Sequence, residues 1–263
     1  MRARHDWVAR TVRELSPSKI REMSLRAASL DGVISLGIGE PDFPTPPEVC
    51  QRALQDALHG ATHYAPSQGD PELLRALRDY LQGRYGLPLR EENILITSGG
   101  MGALTGIFRT ILEPGDEVLV PEPHFPEYRA HVELAGGRLV QVPTRVEESY
   151  VPQPERVEAA ITSKSKVLLL NSPNNPTGSV IPGPVMDRLA ALAREADLLV
   201  VCDEVYDRLL FDGHRHESMA TREGMTDRTV VIGSFSKAFA MTGWRLGYAF
   251  GPPGLMAEMT KVV

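Results

Sequence analysis

The sequence predicts an α/β protein, a three-layer sandwich with a mostly parallel seven-stranded sheet and an N-terminal arm. Three observations lead there. From Asn93 onward, short apolar runs alternate with amphipathic stretches, the rhythm of strand and helix. Most of those runs are apolar at consecutive positions, as strands covered by helices on both faces should be. Before that point the rhythm is absent, and prolines and glycines crowd residues 37–47, which favours an extended loop.

Taken in order, residues 1–30 are charged and helical in character, with Ser16-Pro17-Ser18 as a break. An apolar run, 33–38, leads into Gly37-Ile38-Gly39-Glu40-Pro41-Asp42-Phe43-Pro44-Thr45-Pro46-Pro47. Residues 47–58 predict an amphipathic helix, followed by a turn-rich loop through Tyr64. Asp70 is the expected N-cap of the next helix, with Pro71 in its first turn. Leu73, Leu74, Leu77 and Leu81 keep helical spacing along it. The seven strands are expected at 93–97, 117–121, 138–142, 166–171, 198–203, 229–234 and 246–250. Helices are expected at 101–112, 127–135, 155–160 and 184–196. The last two strands are joined by a link too short for a helical crossover, so one of them should run antiparallel. The domain reading is an arm with part of a small domain over 1–45 and a large domain over 46–263.

With 42% hydrophobic residues the chain can bury a sizeable core. A net charge of −6 and no basic cluster exclude nucleic acid as a partner. No apolar run is long enough for a bilayer, and the charged start has no secretory h-region, so membrane partners are excluded and the expected compartment is cytoplasmic. Cys50 and Cys202 have no metal or disulfide spacing, and no metal is expected.

One stretch carries the chemistry: residues 233–248, in which Lys237 sits among small hydroxyl and apolar side chains. Burial disfavours an ammonium, so this lysine is easier to deprotonate. A neutral amine can form a Schiff base with an aldehyde. Ser234, Ser236 and Arg245 can hold a phosphate, the arginine through its forked donors. Aldehyde plus phosphate describes pyridoxal 5′-phosphate. Two further features fit that ligand. Thr97-Ser98-Gly99-Gly100-Met101-Gly102 lies between a strand and a helix, where backbone N–H groups make an anion site. Asp203 ends a buried apolar strand, where a carboxylate needs a partner, and a protonated pyridine nitrogen is a natural one.

The lysine segment, S-x-S-K-x-F-x-M-T-G-W-R-x-G, resembles that of the fold-type I pyridoxal-phosphate aminotransferases, the aspartate aminotransferase-like class. Asn171-Ser172-Pro173-Asn174-Asn175-Pro176-Thr177-Gly178 and G-x-G-E-P-D-F-x-T-P are similar to two further segments of that class. The resemblance implies roles residue by residue. Gly100 and Met101 would supply amide donors to the phosphate. Phe125 would stack on the pyridine, with a core phenylalanine as the plainer reading. Asn175 and Tyr206 would address the phenolic oxygen. Asp203 would keep the ring nitrogen protonated. The backbone at Ile38 and Gly39 would approach the substrate carboxylate, with Asn175 beside it. Tyr64 would reach the phosphate of a neighbouring subunit, which requires a homodimer with a shared site. Packing on the following helix is the alternative for Tyr64.

The same resemblance implies an aminotransferase that moves an amino group between an L-amino acid and a 2-oxo acid by ping-pong chemistry on Lys237. β-Elimination or decarboxylation on the same fold uses the same lysine and aspartate. A non-catalytic cofactor-binding remnant is the reading from outside enzymology. Members of the class continue into a C-terminal small domain, and the expectation is that this domain and its carboxylate-binding arginine are absent here.

Overall fold

The structure is a computed structural model and describes residues 7–15, 19–34 and 37–263. Two helices open it, α1 (Arg10–Glu14) and α2 (Lys19–Ala28). The expected break at Ser16-Pro17-Ser18 lies outside the described residues, as does part of the run 33–38. α3 (Pro47–Leu58) and α4 (Pro71–Tyr85) follow, each with proline in its first turn, where no intrahelical N–H is needed. Asp70 caps α4 as expected, accepting from the N–H groups of Glu72 and Leu73 at 2.9 and 3.1 Å. Gly86 closes it in the left-handed region at φ 67°, a conformation glycine adopts without a Cβ penalty. Leu74, Leu77 and Leu81 are its buried face. α3 buries no residue.

The sheet contains β1 (Ile94–Thr97), β2 (Glu117–Glu122), β3 (Arg138–Pro143), β4 (Ser165–Asn171), β5 (Leu199–Asp203), β6 (Thr229–Ser234) and β7 (Gly247–Phe250). Its spatial order is β1-β7-β6-β5-β4-β2-β3. β7 runs antiparallel to β1 and β6, and every other pair is parallel. The short link after β6 therefore has the consequence expected of it.

The remaining helices are α5 (Gly99–Ile111), α6 (Glu127–Leu134), α7 (Pro154–Ala160), α8 (Gly183–Glu195), α9 (Phe235–Ala238) and α10 (Pro253–Met259). α5 starts two residues before the predicted position, so the glycines expected to precede the helix form its first turn. α9 and α10 lie outside the expected set. α9 is one turn long, too short to show a helical period. α10 follows Pro252 and begins with Pro253, a pair that reads as a break.

Successive strand residues face opposite sides, and both sides are dry. Leu168, Leu170, Val200, Cys202 and Val231 pack under α4 and α8. Val167, Leu169, Val201, Val230 and Ile232 pack under α5, α6 and α10. This is the expected three-layer arrangement. The parallel strands β4, β5 and β6 end together, beside the start of β7 and the first turn of α5. A ligand crevice belongs at that edge in a sheet of this kind.

Candidate active site

Six chain segments converge on a cleft of about 570 Å³ at that edge. They are residues 37–40, the start of α5, the entrance to α6 with Phe125 and Tyr128, the turn after β4, the turn after β5 and the lysine segment. Of the residues singled out from the sequence, every one except Tyr64 lines this cleft.

Lys237 lies in α9, the single turn after β6, and is half-buried. Ser234 caps that turn, its hydroxyl accepting from Ser236 N–H at 3.1 Å. The lysine ammonium donates to the backbone carbonyl of Gly39 and sits 5.7 Å from the centre of the Tyr206 ring. Burial lowers its pKa; Glu40 opposes that, and Arg245 adds to it. The segment 37–45 is tied across the lysine. Thr45 donates to the carbonyl of Ala240 at 2.6 Å, and Trp244 Nε1 donates to the Thr45 hydroxyl at 3.0 Å. Ile38 and Gly39 are exposed on the cleft wall.

Asp203 is buried beneath the cleft at the end of β5. Burial pushes its pKa up to about 6; a hydrogen bond from Tyr128 and the Val205 N–H work against the rise, and the Glu204 charge adds to it. Tyr128 Oη donates to Asp203 Oδ2 at 2.6 Å. The next residue, Glu204, points to the other side. There it accepts from Tyr85 at 2.9 Å, His216 at 2.6 Å and Ser218 at 2.6 Å. One strand end thus presents a carboxylate to the cleft and anchors its own turn with the following one.

Asn175 Nδ2 donates to Tyr206 Oη at 3.4 Å, so the two residues expected to share one acceptor are neighbours. Burial raises the Tyr206 pKa, as does the Asp203 charge. Asn171 locks the two turns together. Its amide donates to the Asp203 carbonyl at 2.9 Å and accepts from the Asn175 N–H at 2.6 Å.

At the other end of the cleft, the Ser98 side chain at the start of α5 makes no capping hydrogen bond, which leaves the helix's first amides for a ligand. Ser98 is exposed, and Gly99 has φ 70°. A Cβ on Gly99 would lie 2.9 Å from Arg245 Nη2. This bare backbone is therefore the surface against which the guanidinium rests. Gly247 shows the same need for closeness: its Cβ would stand 2.5 Å from the Gly99 carbonyl carbon. Phe125 lines the cleft and also packs against the core.

These donors fit pyridoxal 5′-phosphate. Helix amides, two serines and a guanidinium at one end suit its phosphate. A half-buried amine suits its aldehyde, and a carboxylate below suits its ring nitrogen. Tyr64 is not brought here; it is fully exposed in the loop before α4 and does not pack on that helix. Sequence reasoning assigned no role to Tyr128, Asn171 or Glu40. The first two had a legible signal: Tyr128 follows Phe125 by three positions, one helical turn, and Asn171 is a polar residue closing an apolar strand. Among the described residues no cluster of metal-ligating side chains occurs.

The fold and the cleft together define a cofactor-binding α/β protein built around a lysine. The family model of aminotransferase class I and II matches residues 31–263, and the chain belongs to that family, whose members depend on pyridoxal phosphate. It is 42% identical to the aspartate/prephenate aminotransferase of Thermus thermophilus over 260 residues, covering 97% of this chain and 66% of that protein. It is 40% identical to the arginine–pyruvate transaminase of Pseudomonas aeruginosa over 230 residues, covering 88% of this chain and 58% of that protein. The structure superposes on the aspartate aminotransferase of Thermus thermophilus solved with maleate at a TM-score of 0.93 and 42% identity, over 100% of this chain and 68% of that one. The chain thus spans about two thirds of the length of the Thermus relative.

Proposed function

We propose that this chain carries the cofactor site of an aminotransferase that exchanges an amino group between an L-amino acid and a 2-oxo acid. The observation that carries the reading is the convergence of Lys237, Asp203 and Asn175 with an uncapped helix start and Arg245 in one cleft. The family's transaminase relatives support it, and their names differ in the amino acid used, so the donor is stated as a class. Residues 46–263 form the large cofactor-binding domain in this reading, and 1–45 form the arm and part of a small domain.

Pyridoxal 5′-phosphate, when bound, supplies an aldehyde carbon for the amino group and a ring that accepts the electron pair left when the α-proton departs. The chain does the rest. The α5 amides, Gly100 and Met101 first, hold the phosphate with Ser234, Ser236 and Arg245. Phe125 covers the ring. Lys237 is the amine that would hold the aldehyde group. When free, its amine, disfavoured as an ammonium by burial, would move the substrate's α-proton, as base and then acid. Asp203, as an anion, would hold the ring nitrogen in its protonated form. Asn175 and Tyr206 donate to the phenolic oxygen. Ile38 and Gly39 close the substrate side. Tyr64, exposed and away from the cleft of its own chain, serves the phosphate of a second copy in a homodimer.

The test is a visible spectrum with cofactor, before and after addition of L-amino acids. Wild-type protein should show a lysine-bound absorption band that is lost with stoichiometric 2-oxo acid release. Lys237→Ala should lack the band and turn over at least a thousandfold more slowly, in keeping with loss of both attachment and base. Transamination by that variant at the wild-type rate would sink the reading. Pyruvate and ammonia as products would favour elimination instead.

A further inference from the structure

Asp203 is a buried carboxylate, and what holds it comes from another element. Tyr128, on α6, has no exposed surface and donates its hydroxyl to Asp203 Oδ2 at 2.6 Å. The other oxygen receives the Val205 N–H at a longer 3.3 Å. The Tyr128 ring is held in turn. Phe125 meets it edge-on with centroids 5.5 Å apart, and His124 lies 6.0 Å away on a tilted plane. The hydroxyl therefore has one direction available. The ionisable groups around Asp203 are Tyr128 from α6 and, from its own turn, Glu204 and Tyr206. Of these only Tyr128 donates a hydrogen bond to the carboxylate.

We propose that Tyr128 is a positioning residue for Asp203: its hydroxyl sets the rotation of the carboxylate beneath the cleft and holds it as an anion. The physical reason is a competition. Burial penalises the charged carboxylate, and a donor bonded to the charged form favours it. A hydroxyl on a buried anion is one of the strong hydrogen bonds. A neutral acid would have no charge to offer a ring nitrogen. α6 thus contributes Phe125 at its entrance and Tyr128 one turn on, so one short helix addresses both the ring and the residue beneath it. This inference rests on the assignment of Asp203 as the ring partner only for its bearing on cofactor binding; the coupling of Tyr128 to Asp203 stands apart from it.

The experiment is a pH titration by difference infrared spectroscopy of the cofactor-free chain. The protonated carboxyl band of Asp203 is identified by its loss in Asp203→Asn. Wild type should titrate near pH 6. Tyr128→Phe, which removes only the hydroxyl, should move the midpoint upward by about one pH unit. An unmoved or lowered midpoint overturns the proposal. Tyr80→Phe, which removes a hydroxyl that Arg208 holds on another helix, should leave the midpoint in place; a rise equal to that of Tyr128→Phe would also overturn it. Biosynthetic 3-fluorotyrosine keeps the native shape and strengthens the donor, so it should lower the midpoint even if Tyr128→Phe does not fold; no change would count against the proposal.

Cofactor binding reads the second half. Tyr128→Phe should weaken pyridoxal 5′-phosphate affinity about tenfold, and less than twofold in an Asp203→Asn background, the coupling expected of groups in contact. Equal losses in both backgrounds overturn the orienting role. If the infrared midpoint moves but Asp203→Asn binds cofactor like wild type, the coupling stands and Asp203 is not the ring partner.

Discussion

Asp203 and Lys237 are buried for opposite ends. Desolvation raises the acid and lowers the base, so each is shifted toward its neutral form. For Asp203 this has a stability consequence with a definite sign. Its folded pKa of about 6 lies above the value of a free carboxyl, so the folded state keeps its proton longer than the unfolded state. The carboxyl is harmless at low pH and costs stability as pH rises through 4 to 6. Above that window the cost is about 3 kcal/mol. Asp203→Asn should therefore stabilise the cofactor-free chain at pH 7 by about 2–3 kcal/mol and have little effect below pH 4, measured by urea unfolding at both pH values. For Lys237 the opposing neighbours can be separated. Glu40 supports the ammonium, so Glu40→Gln should lower the pH at which the lysine begins to react with an aldehyde probe. Arg245→Gln should raise it, because a repelling cation is gone. Reductive trapping across a pH series reads both. Shifts in the same direction would contradict this account.

At the scale of elements, the site depends on strand ends and on close approach. The buried strands were legible because apolar runs of strand length alternate with helical periods, and the caps at Asp70 and Gly86 follow local rules. α9 was not legible as a helix, since one turn has no period. The first turn of α5 was hidden for a different reason. Gly99 and Gly100 are poor helix formers, and they sit in the helix because β7 and Arg245 press against them. Gly247→Ala makes this testable. Its added methyl would stand 2.5 Å from the backbone of Gly99, and neither strand nor helix can give way cheaply. The expected cost is at least about 1–3 kcal/mol in chemical denaturation, with a displaced α5 start and weaker cofactor binding. Gly254→Ala, with nothing near its Cβ, should be nearly silent and serves as the control.

Across the whole molecule, the two halves of the chain are covered differently. The sheet is dry on both faces, whereas the N-terminal part leaves Phe43, Leu54, Leu58 and Tyr64 exposed, and α3 has no buried residue. No helix of the described residues is long and apolar enough to cross a membrane. On the proposed dimer, Tyr64 and Lys237 of one site come from different copies. Tyr64→Ala and Lys237→Ala chains, each impaired alone, should complement when refolded together, because a mixed dimer carries one intact site. Recovery should approach about a quarter of wild-type activity if the copies pair at random. Additive activity with no gain on mixing would place Tyr64 outside the partner's site.

The sequence by itself determined which chemistry was available. Its lysine among hydroxyls, its arginine eight positions on, its asparagine–proline string and its carboxylate at a strand end name an aldehyde, a phosphate and a ring nitrogen, because those groups have few other uses in combination. It also determined the layered fold, through periods that are properties of local backbone geometry. Tertiary structure decided which of these residues meet. Gly39 reaches Lys237 from far along the chain, Tyr128 reaches Asp203 from a different helix, and Asn171 joins two turns through one amide. Tyr64, equally suggestive in sequence, stays outside the cleft. No local pattern encodes such meetings, because they depend on strand order and on how helices settle over the sheet.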